Sequence, residues 1–151
     1  MAYFLFKFIH IAAAIIWIGS VFTLGMLNIA LARKRDRPGL AAIARQSEFF
    51  GRAVIGPSAI TTLIAGIVLS AFFGFGAPFW IIWGLAVILI TGYLGSNVTQ
   101  KVGIKLAEVA ASDDADDSKL QVLQRRLTIL TSINLLLLFS AVWVMVFKPV
   151  L

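Results

Sequence analysis

The only histidine of the chain, His10, lies in the stretch "FKFIHIAAAIIWIGS" (Phe6 to Ser20), with Lys7 one turn before it and Trp17 seven residues after it. On a helix turning 100° per residue, His10, Trp17 and Asn28 fall within about 20° of one another, with Ala14 close by. Small side chains, Ala13 and Ala14, therefore separate an imidazole from an indole and leave a shallow floor beneath the ring. An imidazole in an apolar run can ligate a metal, move a proton or tie two helices together. A thioether at the same depth on another helix, Met145, would complete an axial pair for a haem, with aromatic rings walling the porphyrin and Lys7 or Lys148 meeting its propionates. Met26 lies about 24 Å further along the helix and cannot share that site.

The candidate cofactor-binding residues are thus His10, Met145, Trp17, Ala14 and Lys7, with His10 as metal ligand and a haem as cofactor. Copper is the alternative, although a copper site would want three or four convergent donors. Structural readings stand beside these. His10 can simply bond an Asn, a Ser or a carbonyl on a neighbouring helix, and Met145 can be core filling. Trp80, Trp83 and Trp143 can form an interfacial belt, and Asn28, Asn97, Gln100 and Asn134 can glue helices together. The chain has no cysteine, which excludes disulfides, thiolate metal sites and cysteine catalysis. No carboxylate lies inside an apolar run and no nucleophile–base pair is visible, so proton relays built on intramembrane Asp or Glu are disfavoured.

The elements that hold these residues follow from the solvent they need. Of the 151 residues 60% are hydrophobic and 13% charged, about half the charged share of a soluble domain. No Asp, Glu, Lys or Arg occurs from Phe8 to Ala32 or from Ala53 to Gln100, and only Lys148 interrupts Leu127 to Leu151. A hydrocarbon core about 30 Å thick takes about 20 helical residues to cross. The middle run holds two crossings, divided at "FFGFGAP" (Phe72 to Pro78). The expectation is an all-α, polytopic, four-helix transmembrane bundle forming one membrane domain over residues 1–151. Its spans lie at about 4–32, 53–74, 78–102 and 125–147, with connections at 33–52 and 103–124 and no soluble domain. The first run is too long for a signal peptide and reads as an uncleaved span.

Six of the 13 basic residues fall between Arg33 and Arg52 and five between Lys101 and Arg126. The positive-inside rule puts both connections in the cytoplasm and both termini outside. The net charge of +6 then reports topology and contact with anionic lipid rather than nucleic acid. The stretch "EVAASDDADDSK" (Glu108 to Lys119) reads as a solvated linker whose Asp and Ser cap the last helix.

Packing signals are fewer. Ser58, Thr62, Gly66, Ser70 and Gly74 recur every fourth residue, a small-residue row that forms a close helix seam, either internal or between the two copies of a homodimer. Pro57 should perturb the second span, with Ser58, Thr61 or Thr62 satisfying the freed carbonyls. "WIGS" at Trp17 echoes "YLGS" at Tyr93, as two similarly oriented hairpins would.

The first-span histidine followed by Trp-x-Gly (His10, Trp17, Ile18, Gly19) resembles small bacterial membrane proteins related to CopD and HemJ. The segment Leu31 to Gly66 is similar to a predicted-integral-membrane branch of that superfamily. The resemblance implies a four-helix core that holds haem b, as in the protoporphyrinogen oxidase HemJ, or handles copper, as in CopD, with His10 matching the first-helix histidine. The chain departs from HemJ in having no further histidine and from CopD in lacking additional copper ligands.

Overall fold

A computed structural model of the protein describes residues 1–34, 36–73, 78–112 and 116–149. These residues form four continuous helical rods and no strand. The first is α1 (Ala2–Lys34). The second joins α2 (Arg37–Phe50) and α3 (Gly56–Phe72) through a π turn at Gly51–Ile55. The third joins α4 (Phe79–Tyr93) and α5 (Gln100–Ala111) through a π turn at Leu94–Thr99, and the fourth is α6 (Asp117–Phe147). All four are long and apolar enough to cross a membrane, which agrees with the expected four-helix membrane bundle.

The rods contain 33, 36, 33 and 31 residues. At 1.5 Å per residue they are roughly 46–54 Å long, well over the bilayer's hydrocarbon thickness. The excess lies at the basic end. There the segments 33–52 and 103–124 are mostly helical, and their apolar faces pack on one another. Leu40 and Leu106 are fully buried there with Ala41, Ala110, Leu120 and Leu127. Local signals start these helices. Asp36 accepts the Gly39 N–H at the start of α2 beside Pro38, and Asp116 accepts the Ser118 N–H at the start of α6. The hydrogen bonds from Ser118 hold the Asp116 carboxyl below the usual carboxylate range. An Arg37–Asp117 ion pair ties the two starts together. Asp113, Asp114 and Ala115 of the expected linker, Arg35, and Gly74 of the small-residue row lie outside the described residues.

Within the apolar zone α1 packs on α3 and α6, α6 also packs on α4, and α3 and α4 scarcely touch. Trp17, Val87 and Leu138 meet at the centre, with Trp17 only 4% exposed. Tyr93, the counterpart of Trp17 in the sequence echo, is 65% exposed, so the echo does not mark equivalent faces.

Proline chemistry accounts for the first π turn. Pro57 has no N–H to give the carbonyl four residues back. Just before it the helix widens, the Gly56 N–H reaches the Gly51 carbonyl, and the Ser58 hydroxyl serves the carbonyls of Val54 and Ile55. Pro57 leaves the Ala53 carbonyl, four residues back, without its donor, so these bonds are ordinary side-chain bonds to the preceding turn and not the expected rescue of a freed carbonyl. The Thr62 hydroxyl likewise bonds the Ser58 carbonyl.

Candidate functional site

His10 lies on the α1 face turned toward α3. Its Nδ1 is 2.8 Å from the carbonyl oxygen of Thr62. A carbonyl only accepts, so Nδ1 carries the proton and donates, and in the neutral ring Nε2 keeps its lone pair. Two residue choices permit this. Thr62 is 5% exposed and stands where α3 faces α1. One turn on, Gly66 has no side chain, so the imidazole edge rests on the helix backbone; a Cβ there would come within 3.1 Å of Cε1 and 3.3 Å of Nδ1. Nε2 has no hydrogen-bond partner among the described residues, and it is not among their enclosed, unpaired polar atoms.

The small-residue row is thus used inside the chain. Ser58 and Thr62 are buried and Gly66 receives His10, so the seam joins the first and second spans. That part of the row is not free to join two copies.

The remaining candidates are placed individually. Trp17 fills the bundle centre, buried Ala13 lies beside half-buried Ala14, and Lys7 holds its ammonium 5.7 Å from the Tyr3 ring centroid. Met145 packs on α4, where its Cε would collide with a Cβ at Gly84. His10 and Met145 each lie in a glycine notch, but the notches are on different helices. No group of three or more His, Cys, Asp or Glu that could hold a metal occurs among the described residues.

The outer aromatic residues divide in role. Trp80 has the Lys148 ammonium 5.1 Å from its ring centroid, and Trp143 is exposed against Phe147, as interfacial residues are. Trp83 instead donates its indole N–H to Ser140 across the α4–α6 seam at 3.2 Å. The asparagines were expected to bridge helices and do not. Asn28 donates to the Leu24 carbonyl of its own helix, and Asn97 to its neighbour Ser96. Asn134 is buried with its carbonyl oxygen unpaired. Sequence spacing marked His10 but not its partner, because a backbone carbonyl leaves no residue-type signal. Nor does the sequence mark the Gly84 notch, since a single glycine in an apolar run has many meanings.

A family model described as a predicted integral membrane protein (DUF2269) matches residues 4–149. The chain belongs to that family. Nearly all of the DUF2269 match lies within the four rods, and it takes in both the His10 notch and the basic end. No curated protein and no solved structure matches this DUF2269 chain.

Proposed function

We propose that this integral membrane protein binds haem b through Nε2 of His10 and has a redox or porphyrin-related role. One observation supports this reading, the Nδ1–H bond to the Thr62 carbonyl. Metal-ligating histidines nearly always donate the other ring N–H to a carboxylate, carbonyl or water, which fixes the tautomer and aims the free nitrogen. His10 meets that requirement, and its Nε2 is unpaired among the described residues. Bound there, haem would supply a one-electron redox centre. Among these residues, His10 is the one that would hold the group as the structure stands. Met145 would have to leave the Gly84 notch to serve as a second ligand, and Trp17 fills the bundle interior. The relationship to CopD- and HemJ-like proteins, a bacterial inner membrane and termini on its outer side belong to the same proposal. Copper remains the alternative metal for His10.

The absorption spectrum of the purified protein tests this. A Soret band is expected that disappears in His10→Ala and persists in Met145→Leu. A colourless protein that stays colourless on haemin titration overturns the haem reading, and metal analysis of that sample then tests copper.

The same bond favours a second reading, a non-catalytic membrane subunit in which His10 is a helix lock. On that reading His10→Ala lowers the thermal midpoint and has no spectroscopic consequence.

A further inference from the structure

Toward the basic end, α1 and α6 part to leave a crevice of about 100 Å³. Gly25 brings the helices close there, since a Cβ at that position would sit 2.8 Å from Cγ2 of Thr131. The mouth is apolar, with Phe22, Met26 and Leu135. The lining also carries the hydroxyls of Thr128, Thr131 and Ser132. Hydroxyls on membrane helices usually donate to a carbonyl of the preceding turn. Those of Ser58, Thr62, Thr91 and Ser140 do so, whereas Thr128, Thr131 and Ser132 have no hydrogen-bond partner among the described residues. Thr128, Thr131 and Ser132 thus bring three unpaired hydroxyl groups to the crevice wall, beside Asn28, whose Oδ1 is buried without a donor among the described residues.

Charge one turn further on indicates what supplies the acceptors. Phe22, Met26, Ile29 and Arg33 recur at helical spacing on α1, as do Arg125, Thr128, Ser132 and Leu135 on α6. Each helix therefore carries an exposed guanidinium on its crevice-lining face, just past the crevice. Arg37 and Arg52 are ion-paired, but neither Arg33 nor Arg125 has an ion-pair partner among the described residues. Read along the membrane normal, the order is apolar mouth, hydroxyl donors, two free guanidinium groups. A phospholipid of the same leaflet presents acyl chain, ester carbonyls and phosphate in that order.

We infer that the α1–α6 crevice is a binding site for one anionic phospholipid of the leaflet facing the basic end. Arg33 and Arg125 take the phosphate, Thr128, Thr131 and Ser132 donate to the ester carbonyls, and an acyl chain lies on Phe22, Met26 and Leu135. The site is independent of His10 and of any haem.

Native mass spectrometry of the detergent-solubilised protein with equimolar phosphatidylglycerol and phosphatidylcholine tests the inference. One retained phosphatidylglycerol is expected. Arg33→Gln and Arg125→Gln each weaken it about fivefold, corresponding to the contribution of one basic residue near anionic lipid. Ser132→Leu fills the crevice and removes the adduct, while Lys105→Gln, an exposed charge elsewhere, leaves it unchanged. All four positions are exposed, and size-exclusion elution confirms that the variants stay folded. In a thermal-shift assay phosphatidylglycerol is expected to stabilise the wild type and inorganic phosphate at the same concentration is not. Equal retention of the two lipids, equal loss in Lys105→Gln, survival of the adduct in Ser132→Leu, or equal stabilisation by inorganic phosphate would each overturn the assignment.

Discussion

At the scale of the residue, two glycines do similar work with different tolerance. Gly66 lies under a flat ring pinned by its own hydrogen bond, and Gly84 lies under the free end of a methionine. A Cβ at Gly66 must push the imidazole off the Thr62 carbonyl, whereas at Gly84 the Met145 methyl can swing away. Gly66→Ala is therefore expected to destabilise by about 1 kcal/mol, within the range measured for interhelical side-chain bonds in membranes, and Gly84→Ala by well under half of that. Thermal unfolding in detergent compares them. In a double-mutant cycle His10→Ala should cost little in the Gly66→Ala background, because the bond it removes is already broken. Full additivity of the two would show that His10 and Gly66 are not coupled. His10 stood out in the sequence because an ionisable side chain in an apolar run demands an explanation. Its acceptor did not, since the backbone carbonyls of every neighbouring helix look the same in a sequence.

At the scale of the element, helix number was legible because hydrocarbon thickness sets a length that charge-free runs either meet or miss. The true helix ends were not, because charged residues stop a membrane span without stopping a helix. Polar and charged positions in 33–52 and 103–124 alternate with Leu40, Ala41, Leu106 and Ala110, a spacing that buries one face and wets the other. This small core outside the longest apolar runs should behave as an ordinary water-facing one. Leu106→Ala, at a fully buried position, is expected to cost about 2–5 kcal/mol. Leu136→Ala, on the 70% exposed face of α6, should cost far less, since lipid surrounds either side chain. Proteolysis of the basic end in detergent would report the difference, and equal susceptibility would argue against a packed core there. The π turn before Pro57 gives a further comparison. Ser58→Ala removes a buried donor from the Val54 and Ile55 carbonyls and should destabilise by about 1 kcal/mol. Ser96→Ala, whose hydroxyl bonds the Gly92 carbonyl at an exposed position within the other π turn, should be nearer neutral because no neighbouring helix packs over that hydroxyl.

At the scale of the whole molecule, four crossings put both termini on one side and both charged connections on the other, whichever way the bundle is inserted. Only the charges choose the direction. Eleven of 13 basic residues lie between Arg33 and Arg52 or Lys101 and Arg126, and the packing of α2 on α5 gathers those segments at one end. Lys7 and Lys148 at the opposite end rest over Tyr3 and Trp80. A charge asymmetry of this size should retain the basic end in the cytoplasm. The absence of cysteine makes the orientation directly measurable, because any introduced thiol is the only one. Ala2→Cys and Ser112→Cys both fall at exposed positions, one at each end of the bundle. In intact cells a membrane-impermeant maleimide is expected to label Ala2→Cys and spare Ser112→Cys until the membrane is opened. The opposite pattern would place His10 in the cytoplasmic half of the membrane and the two free arginines in the outer leaflet. The α1–α6 crevice would then draw its lipid from that leaflet, while the bundle and the His10–Thr62 bond would be unchanged.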